Sequence, residues 1–389
     1  MIRILFIISG LPRGGAETTL VQLLKGLDRR RFDVTVLSLL GEGEVGSDIR
    51  AMGVPLMALH LNRPQSSLKG LVQFIRFVRA WQPDILQGWM YHGNLLAFLG
   101  RLVARKPTPL IFGIHNALSN WAEEKKTTRA VILLNAQLSK KADRILFPSP
   151  PSAEQHWSCG YHQPHSEIIS NGVDCDVFYP DNDDRQRFRE DLGIAPDTFL
   201  IGLAARFHPV KDHRGFLKAA RGLADQKKNV RFLLCGPGIH SGNEALMALI
   251  TQENLHDQVL LLGSRTDMNR VYRALDLLVL CSISEAFGGV LAEAMASGTP
   301  CVSTRVGISN EILGASGWLA EPSNPEDLLR ALLSACTCDD LERRDRGKAA
   351  RERIVERYNV TNMVDHYDRL FTGLVHLKTD RRDEPSLTT

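Results

Sequence analysis

Glu285 and Glu293 flank a glycine turn in the stretch Ser284-Glu285-Ala286-Phe287-Gly288-Gly289-Val290-Leu291-Ala292-Glu293-Ala294-Met295-Ala296-Ser297-Gly298-Thr299-Pro300. An apolar run that reads as a strand precedes it, and the residues after the glycines follow helical spacing. Free amides at the start of such a helix, near Phe287, Gly288 and Gly289, bind phosphate well. A carboxylate on each side of that anion site can address two parts of one extended ligand. Fixed carboxylates accept paired hydrogen bonds from sugar or ribose hydroxyls. Either glutamate alone would fit a helix-start charge or a surface residue, but the whole segment has no such plain explanation.

A second group, Ala205-Arg206-Phe207-His208-Pro209-Val210-Lys211-Asp212, follows the first strand of the second half. Arg206 offers a planar fork and Lys211 a point charge, two cations suited to neutralising a diphosphate. In the first half, Gly10-Leu11-Pro12-Arg13-Gly14-Gly15-Ala16-Glu17 passes from a strand into a helix. It lacks the Lys-Ser/Thr of a Walker loop and is not G-x-G-x-x-G. The next strand ends in Ser38-Leu39-Leu40, not in the acidic residue that reads an NAD ribose, which argues against a dehydrogenase. His115, in Phe112-Gly113-Ile114-His115-Asn116, ends another strand; taken alone, such a histidine is more often structural. Gly236-Pro237-Gly238 and Gly263-Ser264-Arg265 follow further strands. Cys336 and Cys338 have no second pair or histidine at zinc spacing.

The elements that must hold these residues alternate between short apolar strands and amphipathic helices, the pattern of parallel sheets covered on both faces. Strands are expected over 2–9, 33–39, 84–87, 110–114 and 144–148, then over 198–204, 230–235, 258–262, 277–281 and 300–303. Helices are expected over 17–27, 68–81, 214–225, 244–253, 268–274 and 289–297, and throughout most of the chain after Pro325. At 389 residues the chain exceeds a single core. We therefore expect an N-terminal doubly wound domain over 1–177, a polar linker over 178–196 and a second doubly wound domain over 197–362. A helix over 363–378 returns to the first domain, and 379–389 is a flexible tail. Two such sheets facing a central cleft would bind ligand beyond the carboxyl ends of their strands.

Composition, with 44% hydrophobic and 23% charged residues, is that of a folded globular protein. The apolar start Ile2 to Ser9 is too short to span a bilayer and reads as a strand, not a signal peptide. Seven cysteines, an odd number with several in apolar runs, point to a reduced cytosolic setting. Charge is uneven, at about +8 for residues 1–172 and −5 for the rest. A basic first half suits an anionic acceptor or membrane surface as well as a solvated face. The amphipathic stretch Trp121 to Lys141, with Lys125, Lys126, Arg129, Lys140 and Lys141 beside Ala130-Val131-Ile132-Leu133-Leu134, is the natural membrane-facing candidate. Nothing points to a nucleic acid partner.

The spacing Glu285-x7-Glu293, the turn Ser297-Gly298-Thr299-Pro300 and Thr304-Arg305-Val306-Gly307 with Glu311 resemble the signature of the retaining family 4 glycosyltransferases, and the resemblance covers nearly the whole chain. It implies the GT-B fold, an α/β arrangement of two Rossmann-like domains. It also implies transfer of a sugar from a nucleotide-diphosphate donor, such as a UDP- or GDP-sugar, to a glycan or lipid-linked acceptor. On that resemblance Glu285 contacts the donor sugar and Glu293 the ribose. Arg206 and Lys211 match the diphosphate-binding pair, and Ser264 and Arg265 lie where backbone groups meet the base. Gly14 and Gly15 belong to a turn that lets the backbone approach the donor phosphate or the acceptor, and His115 matches a histidine near the donor sugar. Ala286 replaces the family's usual glycine and Gly289 its usual aliphatic residue, departures that bear on sugar identity. The resemblance further implies a hexosyltransferase of bacterial-type polysaccharide or glycan synthesis, working in the cytoplasm or at the inner face of the membrane without a cofactor. Asp174-Cys175-Asp176 and Asp181-Asn182-Asp183 match the D-x-D of metal-dependent transferases but fall in or beside the expected linker, so no metal is expected. The competing readings are a nucleotide-sugar epimerase, a phosphorylase, and a non-catalytic nucleotide-sugar or glycan-binding module.

Overall fold

The structure, a computed structural model, describes residues 1–61, 64–118, 121 and 125–383. The chain divides into two compact units, Met1–Gly172 with Val360–Thr389, and Val173–Asn359.

The first unit alternates strands and helices: β1 (Ile2–Ile8), α1 (Gly15–Gly26), β2 (Phe32–Ser38), α2 (Gly46–Ala51), β3 (Leu56–Ala58), α3 (Pro64–Trp81), β4 (Ile85–Trp89), α4 (Met90–Val103), β5 (Leu110–Gly113), α5 (Lys126–Ser139), β6 (Arg144–Phe147), α6 (Pro150–Ser158) and β7 (Ser166–Ile168). Its seven strands are parallel in the order β3-β2-β1-β4-β5-β6-β7. Strand β1 shows why its sequence is almost uninterruptedly apolar. Ile4, Phe6 and Ile8 enter one core and Leu5 and Ile7 the other, because successive side chains leave opposite faces of a sheet covered on both.

The second unit runs α7 (Asn182–Asp191), β8 (Phe199–Ala204), α8 (His213–Gln226), β9 (Val230–Cys235), α9 (Glu244–Gln252), β10 (Val259–Leu261), α10 (Met268–Ala274), β11 (Leu277–Leu280), α11 (Gly289–Ala296), β12 (Cys301–Thr304), α12 (Ser309–Leu313), β13 (Trp318–Ala320), α13 (Pro325–Thr337) and α14 (Asp340–Arg357). Six parallel strands take the order β10-β9-β8-β11-β12-β13. Helix α15 (Val360–Asp383) then completes the first unit. Its Met363, Val364, Tyr367, Leu370, Phe371 and Leu374 line the core over β1 and β2, with Phe371 edge-on to both Phe6 and Phe32.

Most expected elements are present with ends shifted by a few residues. The three-residue strands β3, β7 and β13 are additions, as are α4, α5 and α6. The segment 178–196, expected as a linker, instead holds α7 within the second unit. Asp181 caps this helix by accepting from Asp184 N at 2.9 Å, and Phe188 is buried. Charge fixes it in place: Asp184 binds Arg270 and Arg273, each at 3.0 Å, and Asp276 receives Arg185 at 2.6 Å and Arg189 at 3.1 Å. The polarity that suggested a linker is an ion-paired helix face. Residues 379–383 of the expected tail continue α15, and 384–389 lie outside the described residues, as do 122–124 of the amphipathic stretch.

Candidate functional site

In the second unit the chain grows outward from β8 in one direction to β10 and then returns to place β11 on its other side, so β8 and β11 flank the switch point where open α/β sheets bind ligands. The loops leaving these two strands carry Arg206 to Lys211 and Ser282 to Gly288. Lys211 Nζ donates to Glu285 Oε1 at 2.5 Å, and Ser282 Oγ donates to the same oxygen at 2.7 Å. Lys211 and Glu285 are 20% and 14% exposed, enough enclosure to strengthen their attraction beyond that of a surface pair.

Local backbone chemistry sets this geometry. Pro209–Lys211 form a 3-10 turn, and Asp212 beyond it takes φ 46° and caps α8 by accepting from Gly215 N at 2.9 Å. Ile283 N donates to Val210 O at 2.8 Å, tying the two loops together. Thr304 Oγ1 donates to Ser282 O at 2.6 Å. Gly307, at φ 53°, passes so near Glu285 that a Cβ would meet its carbonyl oxygen at 2.3 Å. Arg206 is exposed and has no hydrogen bond or ion pair among the described residues. Its cation is open to a ligand.

Helix α11 begins after Gly288, which has φ 95° and no side chain to cap the helix. Among the described residues the amides of Gly288, Gly289 and Val290 make no hydrogen bond, and a Cβ on Gly289 would meet nothing within 4 Å. This is the open, positively polarised helix start that an anion needs. The Phe287 ring belongs to the core, edge-on to Tyr358, so only its backbone is available there. Glu293, on the second turn, accepts from the Tyr272 hydroxyl at 2.8 Å through Oε2. Burial pushes its carboxyl up to about 7, against the lowering effect of that hydrogen bond. Ser264 is exposed after Gly263. Arg265 grips Asp267 through two bonds of 2.6 and 2.7 Å and lies over the Phe188 ring, so its guanidinium already has partners. The Asp174 and Asp181 carboxylates accept backbone amides of their own turns.

In the first unit Gly14 precedes α1 without a side-chain cap, and a Cβ on Gly15 would meet nothing within 4 Å. Near this helix start, Trp89 Nε1 donates to Ala16 O at 3.0 Å, and the His115 ring stacks on Trp89 at 4.0 Å. Neither nitrogen of His115 has a partner among the described residues, and burial pushes the imidazole down to about 3, so it is neutral near pH 7. Asn94 holds the strand end before it, accepting from Gly113 N at 3.1 Å. Gly14, Gly15 and His115 thus belong to one unit, and Arg206, Lys211, Ser264, Arg265, Glu285, Phe287, Gly288, Gly289 and Glu293 to the other. Trp89, Asn94 and Tyr272 are contributors that sequence reasoning missed. A buried aromatic or amide in an apolar run carries no signal of its own.

Two doubly wound parallel-sheet units, one with cations, carboxylates and an open helix start at its switch point, define a glycosyltransferase of the GT-B class. Residues 13–177 match the family model described as Glycosyltransferase Family 4 and residues 184–353 that described as Glycosyl transferases group 1. The two matches together span most of the chain, which belongs to glycosyltransferase family 4. It is similar to a putative glycosyltransferase, EpsF, of Bacillus subtilis, with 27% identity over 77% of this chain and 78% of that one. An Escherichia coli UDP-Gal:alpha-D-GlcNAc-diphosphoundecaprenol alpha-1,3-galactosyltransferase is 23% identical over 93% of this chain and 94% of its own. Among solved structures, Anabaena HepE in complex with UDP and glucose superposes with a TM-score of 0.84 at 22% identity, covering 96% of this chain and all of that one.

Proposed function

We propose that this transferase moves a hexosyl group from a UDP- or GDP-sugar to an acceptor hydroxyl with retention of anomeric configuration, in bacterial glycan synthesis. The observation that carries the reading is the Lys211–Glu285 pair standing beside the uncapped start of α11, with Arg206 open nearby. In this reading Arg206, Lys211 and the α11 amides take the diphosphate, Glu285 the donor sugar and Glu293 the ribose, while Ser264 and Arg265 lie beside the base. Gly14 and Gly15 give close backbone approach, and neutral His115 offers a ring nitrogen to a sugar hydroxyl. As the bond from C1 to the diphosphate oxygen breaks, the growing negative charge is met by fixed cations and amides. The acceptor oxygen bonds to C1 on the same face, and its proton passes to the departing phosphate. No cofactor or metal enters the step.

The names of relatives support a glycan or lipid-linked acceptor: the E. coli relative's printed name includes a diphosphoundecaprenol-linked sugar. No helix among the described residues is long and apolar enough to cross a membrane. Leu68 and Val72 of α3, Leu102 of α4, and Leu133 and Leu134 of α5 are exposed, on helices that pack against one face of the first sheet. Lys69, Arg105, Lys126 and Lys140 accompany them, which suits peripheral contact with an anionic membrane at its inner, cytoplasmic face.

The test is release of nucleoside diphosphate when donor and acceptor are mixed. The donor is first chosen from a panel by thermal stabilisation, which reaches about 2.7 kcal/mol at 100 times the dissociation constant. Turnover without acceptor would identify an epimerase, and dependence on inorganic phosphate a phosphorylase. Binding without turnover would identify a binding module.

A further inference from the structure

Tyr272 lies in α10, fully buried, and its hydroxyl donates to Glu293 Oε2 at 2.8 Å. Its place is fixed from several sides. The Phe178 ring packs 5.9 Å away, and the Tyr272 carbonyl accepts from Thr299 Oγ1 at 2.7 Å, joining α10 to the turn after α11. The next residue, Arg273, is clamped by Asp184, by the carbonyls of Val177 and Tyr179 and by the Tyr179 ring. Glu293 Oε1, by contrast, has no partner among the described residues.

We infer that Tyr272 is a positioning residue for nucleotide binding, its hydroxyl holding one oxygen of Glu293 so that the other faces the ribose hydroxyls of the ligand. The inference rests on the ribose reading of Glu293 given above. The hydroxyl has a second effect, because burial alone opposes the charge that a carboxylate needs to accept from two hydroxyls. The surrounding groups do not replace it. Cys235 of β9 and Cys301 of β12 are thiols kept neutral by burial, Glu311 of α12 is exposed, and Arg351 of α14 is bonded to the carbonyls of Ala296 and Phe178. Tyr272 itself is kept protonated by burial and by the neighbouring carboxylate.

Wild type, Tyr272→Phe and Glu293→Gln, labelled with carboxyl-carbon-13 glutamate, are titrated by NMR, the signal lost in Glu293→Gln assigning Glu293. UDP and GDP affinities are measured by calorimetry across the same pH range, as ratios to wild type so that the nucleotide's own titration cancels. Tyr272→Phe retains the ring. It is expected to raise the Glu293 midpoint from about 7 by about one pH unit, which lowers the ionised fraction, and with it the affinity, roughly fivefold at pH 7. Affinity should return towards wild type by pH 9, a recovery that simple loss of packing would not give. An unmoved Glu293 midpoint, or an affinity ratio independent of pH, overturns the role of Tyr272. Wild-type affinity for both nucleotides in Glu293→Gln, or no binding of either nucleotide by wild type, overturns the ribose reading instead.

Discussion

Gly307 rests against Glu285 more closely than any other residue type could: a Cβ there would lie 2.3 Å from the Glu285 carbonyl oxygen, and its φ of 53° is one that side chains rarely adopt. Gly307→Ala should therefore displace the Glu285 loop and cost about 1–3 kcal/mol of stability. Transfer should suffer more than nucleotide affinity, because Glu293 lies on the second turn of α11, beyond the displaced loop. Equal losses in both measurements would refute this division of labour.

The salt bridge between Lys211 and Glu285 makes their mutations interdependent. Lys211→Ala should slow transfer about 10- to 150-fold, the worth of one charge-assisted bond of roughly 1.5–3 kcal/mol. Arg206→Ala should do likewise. A double mutant of Lys211→Ala and Glu285→Gln should lose less than the product of the single losses, with a coupling of about 0.5–3 kcal/mol. Arg206→Ala with Glu285→Gln should come nearer to multiplying, since no bond joins those side chains. Strictly multiplicative losses for the Lys211 pair would show that the bridge is irrelevant to turnover.

Glu293 links pH to stability with a definite sign. Its carboxyl titrates at about 7 in the folded protein, above the unfolded value of roughly 4.3, so folding retains its proton. Its contribution is complete below about pH 4 and is lost as pH rises through about 7. Glu293→Gln should thus stabilise the ligand-free protein at pH 8, by roughly 1–3 kcal/mol after allowance for partial exposure, and change little at pH 4. Denaturant melts at the two pH values check this. Identical differences at both would disprove the linkage.

Transfer should withstand excess chelator, since two cations and a helix start serve the leaving diphosphate. Activity that vanished and returned with manganese or magnesium would overturn that mechanism. Loss of the rescue in Asp174→Ala or Asp181→Ala would locate the metal.

Membrane contact predicts sedimentation with anionic but not neutral vesicles at low salt, reduced by Leu133→Ser with Leu134→Ser. Equal sedimentation with both vesicle types would count against the α3–α5 face.

The central strands and the switch-point motifs were legible because apolar runs, glycine turns and paired charges leave strong local patterns. Strand β9 spans 230–235, as expected from its sequence. Strands β3, β7 and β13 were not legible, being three residues each at a sheet edge, at most one of them buried, too short for a period to register. Helix α7 failed differently. Its polar face is held by Asp276 and by arginines on α10, partners more than 75 residues away in sequence. Lys211 and Glu285 stood out by residue type and by their place after apolar runs, but their shared bond did not, because it depends on β8 and β11 becoming neighbours. Tyr272 was invisible for the same reason.

Helix α15 supplies one wall of the core over β1 and β2, yet it is encoded after the whole of the second unit. Synthesis at about 5–20 residues per second therefore inverts the usual N-terminal-first order of domain maturation. The inserted unit has all its residues once Asn359 is made, while the first must wait until Phe371 emerges to pack on Phe6 and Phe32. During that interval a nascent chain presents an unfinished apolar sheet face, a natural client surface for chaperones. Messages truncated shortly before Val360 would yield a completed second unit attached to a first unit that cannot close its core.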